Sequence, residues 1–335
     1  MAKIVFTELE GWEEADIKAA LPEHDLVLKT EPLKDEDYAA IGSAEIVAPF
    51  IYTPLTAEVM AKLPNLKLIA TRSTGFDHID VVAAKSKGIT ICNVPFYGEN
   101  TVAEHAWALI LALSRNICTS YDRTKAGSFS FAGLRGFDLK DKTLGIIGGG
   151  HIGQHVARMA QGFAMNVLVF DPKQDESLAT SLGFSYVSLV ELLGKSDVIT
   201  LHAPYNEQTH HLLNRDNLRL MKPSAVLINT ARGGLIDTAA LAEALKGGRL
   251  AGAGLDVLEE ESYIKEEIQL LSPEFHKTCD YKTLIADHIL LEMPNVIITP
   301  HNAFNSQESI KRILNTTLDN IKAYLAGQPI NTVHN

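Results

Sequence analysis

Short apolar runs alternate with segments of helical periodicity along most of the chain. In the first part the runs are KIVF, LVLK, EIVAPF, LKLIAT and ITICNV, with pieces such as TAEVMAKL and DVVAAKSK between them. A second series follows later, with the runs TLGII, NVLVF, DVITL, AVLIN, AGAGLD and VIIT. Strands that are apolar throughout and separated by helices are typical of parallel sheets, because helices cover both sheet faces. The pattern predicts an α/β protein with two doubly wound parallel-sheet domains.

A long apolar segment, VAEHAWALILALSRNIC (102–118), separates the two series. It predicts one helix that is apolar on almost every side, buried between domains or in a subunit interface. The last segment, SIKRILNTTLDNIKAYLAG, predicts a helix that packs on the first domain. We therefore expect a substrate domain over residues 1–100 plus 302–335, and a nucleotide-binding domain over residues 101–301.

Charge and cysteine content narrow the class of partner. The formal net charge is −11, which argues against nucleic acid or an anionic membrane surface. No run reaches the ~18 apolar residues of a membrane span, and the start MAKIVFTELEG lacks the features of a signal peptide. Cys92, Cys118 and Cys279 do not form a disulfide framework. We expect a cytoplasmic protein.

The stretch TLGIIGGGHIGQ carries the strongest local motif. Gly148, Gly150 and Gly153 form G-x-G-x-x-G directly after a predicted strand and at the start of a predicted helix. This arrangement brings a pyrophosphate to backbone N–H groups at a helix N-terminus. Asp171 ends the next predicted strand, where a carboxylate binds ribose hydroxyls and repels a 2′-phosphate. The motif predicts NAD rather than NADP as cofactor, although Lys173 lies near enough to soften that preference.

Three charged groups follow later strands of the second series. Arg232 follows AVLINTA, Asp256 and the acidic run 259–261 follow AGAGL, and His301 follows VIITP. Ligands of open α/β sheets bind beyond the carboxyl ends of strands, so these groups fall on the cofactor side. An arginine binds a carboxylate through two parallel hydrogen bonds, and a histidine protonates a carbonyl oxygen as hydride arrives. Singly, each has an ordinary structural explanation, but jointly they indicate reduction of a 2-oxo acid.

The chain resembles the D-isomer-specific 2-hydroxyacid dehydrogenase family over essentially its whole length, and its D-lactate dehydrogenase branch most. The resemblance implies a Rossmann NAD-binding domain inserted in a flavodoxin-like substrate domain. The motifs that carry it are TRSTGFDHID (71–80), VPFYGENTVAEH (94–105), GIIGGGHIG (145–153), LHAP (201–204), NTARGGLID (229–237), GLDVLEEE (254–261) and ITPHNAF (298–304).

The resemblance also implies roles for individual residues. Catalysis falls to Arg232, Glu261 and His301, and Glu261 is selected from its acidic run because the family's glutamate stands five residues after the aspartate matched by Asp256. Beyond Gly148, Gly150, Gly153 and Asp171, the implied cofactor contacts are His151 and Ile152 at the pyrophosphate, Ala203 and Pro204 near the adenine, and Thr230, Ala231 and Asp256 at the nicotinamide. The implied substrate contacts are Thr74 and Gly75 at the carboxylate, Tyr97 and Phe304 at the pocket wall, and Arg232.

We expect an NAD-dependent dehydrogenase that interconverts pyruvate and D-lactate, and a homodimer formed through the apolar helix. The long segment Ser262–Glu292 resembles the D-lactate branch, whereas the formate branch carries glutamine where Glu261 stands. Gly149 departs from the usual fingerprint and should loosen the turn slightly.

Bulkier D-2-hydroxy acids, glyoxylate or hydroxypyruvate are alternative substrates, and an NAD(H)-sensing corepressor is the non-enzymatic alternative. We expect no metal site: His276 with Cys279 is too few ligands, and His210-His211 indicates a surface pair.

Overall fold

The chain divides into two compact units. The structure, a computed structural model, describes residues 1–259, 261 and 280–333. Unit 1 comprises Met1–Gly98 and Asn305–Asn335, and unit 2 comprises Glu99–Phe304. Each unit contains one parallel sheet.

The described strands and helices alternate along the chain. The strands are β1 (Lys3–Phe6), β2 (Asp25–Leu28), β3 (Ile46–Ala48), β4 (Leu68–Ala70), β5 (Thr90–Cys92), β6 (Thr143–Ile147), β7 (Asn166–Phe170), β8 (Phe184–Tyr186), β9 (Val198–Leu201), β10 (Val226–Asn229), β11 (Gly252–Leu255) and β12 (Val296–Ile298). The α-helices are α1 (Glu13–Ala20), α2 (Tyr38–Ile41), α3 (Ala57–Ala61), α4 (Val81–Ser86), α5 (Glu99–Ser114), α6 (Ile117–Lys125), α7 (His151–Gly162), α8 (Glu176–Leu182), α9 (Leu189–Lys195), α10 (Arg215–Leu218), α11 (Thr238–Lys246), α12 (Tyr281–Leu291) and α13 (Gln307–Leu325). Short 3₁₀ helices cover Asp35–Asp37 and Gly233–Leu235.

The sheet of unit 1 has five strands in the order β2-β1-β3-β4-β5, which is the flavodoxin-like order. Successive side chains of its strands are buried on opposite faces: Val5 and Val47 pack on one side, Ile4 and Ile46 on the other. Burial on both faces explains why consecutive positions of the central strands, such as Ile4 with Val5 and Ile46 with Val47, are all apolar. Helix α13 packs on the face that contains Ile4.

The sheet of unit 2 has seven strands in the order β12-β11-β10-β9-β6-β7-β8. Read from β8 to β11, this is the Rossmann order, with β12 added at the edge. The predicted α/β class and the Rossmann domain are confirmed. The sequence analysis identified six strands here and missed β8. This strand is only three residues long, FSY, and lacks an apolar run.

The apolar segment 102–118 does not form one helix. Helix α5 ends at Ser114, and Asn116 adopts the left-handed conformation (φ +51°) before α6 begins at Ile117. The carbonyl of Ser114 instead accepts the backbone N–H of Phe137 at 2.9 Å. The apolar residues of α5, such as Trp107 and Ile110, are buried inside unit 2.

The order of the unit 2 sheet places a topological switch point between β6 and β9. Helical connections leave the sheet on opposite faces there, so a crevice opens beyond the carboxyl ends of these strands. Among the described helices, none has both the length and the apolar composition needed to cross a membrane.

Candidate active site

The turn between β6 and α7 separates glycines required by packing from one that faces open space. Gly148 has φ +102°, and a Cβ there would lie 2.6 Å from the backbone nitrogen of Ala203. A Cβ at Gly153 would lie 2.1 Å from the carbonyl oxygen of Gly148. A Cβ at Gly150, by contrast, would meet nothing within 4 Å. Gly150 therefore leaves room for a ligand beside the N-terminus of α7.

Asp171, directly after β7, is tied to this turn. Its Oδ2 accepts the backbone N–H of Gly149 at 2.7 Å, and its Oδ1 accepts that of Lys173 at 2.7 Å. We expected Gly149 to loosen the turn, but its N–H anchors the turn to the end of β7. The carboxylate is held where ribose hydroxyls bind in Rossmann domains.

His151 and Ile152 open α7. The Nδ1 atom of His151 lies 2.6 Å from Oε1 of Glu99, and Ile152 packs against the core beneath the helix. The backbone N–H of Gln154 donates to Gly150 at 2.9 Å, so the helical hydrogen-bond pattern starts at the glycine turn. The N–H groups before it have no helical acceptor and point to the helix N-terminus, as an anion-binding turn requires.

The ends of β9 and β10 carry the next group of predicted residues. Ala203 and Pro204 follow β9, and Thr230 and Ala231 follow β10. Thr230 is 8% exposed, and its Oγ1 is buried without a hydrogen-bond partner among the residues that the structure describes. An unsatisfied buried hydroxyl costs about 1–3 kcal/mol. Thr230 is therefore suited to a bound cofactor that supplies the missing partner.

Arg232 lies in extended backbone immediately before the 3₁₀ helix Gly233–Leu235 and is half-buried. Its Nη1 donates to the carbonyl of Ala231 at 2.8 Å, and its own carbonyl accepts Asn229 Nδ2 at 2.9 Å. A Cβ at Gly233 would lie 2.2 Å from the carbonyl carbon of Leu258. The glycine after Arg232 thus lets the segment from β11 pass against the backbone.

Glu259 anchors that segment. Its Oε2 accepts the hydroxyl of Thr238 at 2.7 Å, and its Oε1 lies 2.5 Å from Nε2 of His211. His211 in turn donates its backbone N–H to Gly234 at 2.8 Å. The acidic run is therefore not simply a solvated face, because Glu259 fixes the chain just before Glu261.

His301 and Glu261 form the predicted pair. Nδ1 of His301 lies 2.7 Å from Oε1 of Glu261, and the two side chains are 24% and 29% exposed. The carboxylate is placed to accept a hydrogen bond from Nδ1–H and so to hold the orientation of the ring. The other ring nitrogen, Nε2, is then the atom suited to exchange a proton with a substrate.

Asp256 orders the loop that contains His301. Its Oδ1 accepts the N–H of Asn302 at 3.0 Å and the hydroxyl of Thr299 at 2.5 Å, and its Oδ2 accepts the N–H of Ala303 at 2.8 Å. Asp256 is 1% exposed, and His301 has φ +53°, an uncommon conformation for a residue other than glycine. The resemblance assigned Asp256 to the nicotinamide; its contacts add a positioning role that the sequence did not indicate.

His105 of α5 also contacts Asp256 and Thr299, which hold the loop that contains His301. Its Nε2 lies 3.1 Å from Oγ1 of Thr299 and 3.5 Å from Oδ1 of Asp256. Sequence reasoning missed both His105 and Thr299. Their only signal was their presence in the quoted motifs VAEH and ITPH.

Unit 1 contains the predicted substrate residues Thr74, Gly75 and Tyr97, whereas Phe304 belongs to unit 2 and is half-buried. Thr74 is exposed at its backbone turn, and its hydroxyl donates to the carbonyl of Val94 at 2.6 Å. The carbonyl of Gly75 accepts the hydroxyl of Ser73 at 2.6 Å. The loop is therefore held by hydrogen bonds within unit 1.

Some predicted features lie outside the described residues. Glu260, His276, Cys279 and most of the segment Ser262–Glu292 are among them. Of the other cysteines, Cys118 is exposed and Cys92 is buried. Burial raises the pKa of the Cys92 thiol to about 11, so this thiol stays protonated and unreactive at neutral pH.

The residues of unit 2 fit NAD on two structural observations. The glycine turn leaves open space at Gly150, and Thr230 has a buried hydroxyl that lacks a protein partner among the described residues. Arg232 and the His301–Glu261 pair follow strands of the same sheet. This set can bind a dinucleotide and move a proton at Nε2 of His301.

Comparison with known proteins agrees with this chemistry. The family model "D-isomer specific 2-hydroxyacid dehydrogenase, NAD binding domain" matches residues 107–303. A 2-hydroxyacid dehydrogenase homolog of Zymomonas mobilis is 38% identical over 91% of this chain and 91% of its own length. Glycerate dehydrogenase of Methylorubrum extorquens is 36% identical over 99% of this chain and 98% of its own length.

A solved structure shows the same likeness along the chain. D-lactate dehydrogenase of Aquifex aeolicus, complexed with NAD and lactic acid, has a TM-score of 0.86 and 38% identity over 97% of this chain and 96% of its own. The cofactor is NAD, and the protein is an oxidoreductase that acts on 2-hydroxy acids. The chain belongs to the D-isomer specific 2-hydroxyacid dehydrogenase family.

Proposed function

We propose that the protein is an NAD-dependent D-lactate dehydrogenase that reduces pyruvate to D-lactate. The observation that carries the chemistry is the 2.7 Å contact between His301 Nδ1 and Glu261 Oε1, in the unit that also contains Arg232 and the glycine turn. Support for the small substrate comes from the Aquifex aeolicus structure and from the long segment after Glu261.

In this proposal Arg232 binds the substrate carboxylate through two hydrogen bonds, which fixes the direction of the carbonyl group. Thr74 and Gly75 are assigned to the same carboxylate, and Tyr97 and Phe304 to the substrate side chain. Bound NADH supplies the hydride that reaches carbon 2 of the 2-oxo acid.

His301 supplies the proton. Its Nε2–H bond breaks as a new O–H bond forms on the former carbonyl oxygen, and the reverse reaction returns the proton to Nε2. Glu261 accepts the hydrogen bond from Nδ1–H, and its negative charge and position support and orient the imidazole during the transfer. Asp256 positions His301 through the backbone of residues 302–303.

The cofactor contacts are assigned as the motifs imply. Gly148, Gly150 and Gly153, with His151 and Ile152, bind the pyrophosphate, and Asp171 binds the ribose hydroxyls and favours NAD over NADP. Ala203 and Pro204 lie on the adenine side, and Thr230, Ala231 and Asp256 on the nicotinamide side.

A homodimer is also part of the proposal. Large apolar side chains follow α5 in unit 2 and are 55–88% exposed: Ile117, Tyr121, Phe129 and Phe131. Clustered exposure of this kind marks protein interfaces. Since most large apolar residues of α5 are buried within unit 2 and Leu111 is only 37% exposed, we place the interface on residues 117–131 rather than on α5. Light scattering that shows a stable monomer would remove this part.

The test is NADH oxidation with pyruvate, 2-oxobutyrate, 2-oxoisocaproate, phenylpyruvate, glyoxylate and hydroxypyruvate, with the chirality of each product determined. Pyruvate should have the highest kcat/KM and yield the D-isomer. Faster turnover of a bulky acid, or of hydroxypyruvate as the Methylorubrum relative suggests, would keep the mechanism and reject D-lactate. Binding of NADH without turnover of any acid would favour a sensing protein.

A further inference from the structure

His210 and His211, expected to be a plain surface pair, lie beside Glu259 in unit 2. One nitrogen of each imidazole and one carboxylate oxygen of Glu259 all lie within 4.8 Å of one another. We propose that these three side chains bind a divalent transition-metal ion of the zinc class. This site is separate from the His301–Glu261 pair and does not depend on the substrate assigned above.

The backbone brings the two imidazoles to the same side. Side chains of consecutive residues normally diverge, but His211 adopts a left-handed conformation with φ +48°. The two rings consequently stack, with centroids 3.9 Å apart and an interplanar angle of 24°. Left-handed backbone is unfavourable for a residue that carries a side chain. Strain of this kind is common where a site holds side chains in place.

Neighbouring hydroxyl groups orient two of the three side chains, Glu259 and His210. The hydroxyl of Thr238 lies 2.7 Å from Oε2 of Glu259, which leaves Oε1 facing His211. The hydroxyl of Tyr205 lies 3.1 Å from Nδ1 of His210, and its ring packs edge-on against that imidazole. Supporting contacts from a hydroxyl to a ligand residue are typical of metal sites.

The chemistry of the set matches zinc. Two imidazoles and one carboxylate give three protein ligands, and water takes the fourth tetrahedral position. Ligand atoms at ~2.0–2.2 Å from zinc are on the order of 3.5 Å from one another, so the present spread needs only a small movement. His210 is exposed and free to make that movement, and an ion reaches it from solvent.

Occupancy would stabilise the segment that precedes Glu261. Glu259 follows Leu258, whose backbone packs against Gly233, and His211 is tied to Gly234. An ion that joins His211 to Glu259 therefore joins the loop after β9 to the segment after β11. Because the ion binds the folded chain, it should raise the Tm of the protein.

The test is Co²⁺ and Zn²⁺ binding to the chelator-treated, full-length protein in the presence of NADH. We expect one equivalent of Co²⁺ with a visible spectrum of tetrahedral nitrogen and oxygen ligation, without the near-ultraviolet band of a thiolate. Calorimetry with Zn²⁺ should then show at least a tenfold loss of affinity in His210→Ala. His288→Ala is the matched control, since His288 is also an exposed histidine of unit 2.

Glu259→Gln is a second variant, because glutamine still accepts the Thr238 hydroxyl but lacks the anionic ligand. It should weaken Zn²⁺ binding at least tenfold and abolish the metal-dependent rise in Tm. Equal affinity of the wild type, His210→Ala and Glu259→Gln would place any binding elsewhere and overturn the proposal. Absence of binding to the wild type would overturn it too, and would leave His211–Glu259 as an ion pair.

Discussion

The two parallel sheets place an arginine beyond the carboxyl end of a strand, and they use it differently. In unit 1, Arg72 after β4 is 4% exposed and bonds both oxygens of Glu13, at 2.6 and 2.9 Å. In unit 2, Arg232 after β10 is half-buried. A position at a strand end therefore does not by itself identify a ligand residue. We expect the burial of the guanidinium and of its carboxylate partner to separate the structural Arg72 from Arg232, the proposed substrate residue.

A second contrast concerns two residues with positive φ, Glu8 and His301, whose loops are each held by a carboxylate. Glu8 has φ +58°, and its own carboxylate accepts the N–H groups of Phe50 and Tyr52 at 2.6 Å each. His301 has φ +53°, but a different residue, Asp256, holds its loop. Glu8 therefore uses its own carboxylate to hold the fold, whereas the imidazole of His301 contacts Glu261 and is the proton donor of the proposed mechanism.

The largest expected effect comes from replacing the two arginines by methionine. Arg72→Met leaves Glu13 buried without its partner, so the free energy of unfolding should fall by about 3–5 kcal/mol. Arg232→Met should change it by less than about 1 kcal/mol. Its kcat/KM for pyruvate should instead fall on the order of 10²- to 10³-fold. Urea unfolding would measure the free energy of unfolding of both variants, and steady-state kinetics would measure their kcat/KM. Equal losses of stability would contradict the distinction between Arg72 and Arg232.

The glycine turn offers the next test, because two of its positions differ in what surrounds them. Gly148→Ala meets the backbone of Ala203 in a positive-φ conformation and should lower the free energy of unfolding by about 2–4 kcal/mol. Gly150→Ala has open space and should keep its stability, but its methyl group occupies the place of the pyrophosphate. Fluorescence titration should show NADH affinity reduced about tenfold or more in Gly150→Ala. Unchanged affinity would contradict the assignment.

Replacing Glu261 by glutamine sharpens the role of the His301 pair. Glutamine retains a hydrogen bond to Nδ1 but removes the negative charge beside the ring. The kcat for pyruvate should fall about tenfold or more while NADH affinity stays unchanged, because Glu261 contacts His301. Steady-state kinetics and a fluorescence titration with NADH would check this; a wild-type kcat would contradict a role of Glu261 in proton transfer.

The smallest effect concerns acid stability. Burial lowers the pKa of His78 in unit 1 from 6.5 to about 4, with Asp77 opposing the shift. Between these values the unfolded chain binds a proton that the folded chain excludes, so stability is lost as the pH falls through this window. From pH 7 to pH 5 the wild type should lose about 2 kcal/mol more than His78→Gln. Urea unfolding at the two pH values would show it, and parallel losses would refute it.

Unit 2 has a corresponding histidine that serves as a reference. Burial lowers the pKa of His202 to about 3, and its Nε2 lies 2.9 Å from the hydroxyl of Thr200. The same sign argument applies, so His202→Gln should also reduce the acid sensitivity of folding. Equal acid sensitivity of the wild type and His202→Gln would contradict this expectation.

The sequence was sufficient to predict a structural feature where the residue types at that position have one strong physical explanation. Uninterrupted apolar runs predicted the parallel strands, and the glycine motif after a strand predicted the Rossmann turn. Short or context-dependent features were missed. The edge strand β8 has only three residues, and the break at Asn116 depends on Ser114 bonding to Phe137 from a distant part of the chain.

The candidate site shows the same limit. Motifs indicated Arg232, Glu261 and His301, and the roles of these residues remain predictions. Contacts between distant segments were not readable: Gly233 against Leu258, Asp256 with residues 302–303, and Glu259 with His211. Each depends on backbone positions that only the folded sheet defines.

The central claim is that His301 transfers the proton. Its most direct test is single-turnover reduction of pyruvate by His301→Gln, with NADH binding measured in parallel. The account predicts a loss of turnover on the order of 10²- to 10⁴-fold, with unchanged NADH affinity and unfolding free energy. Turnover near that of the wild type at neutral pH would contradict it and assign the proton to another group.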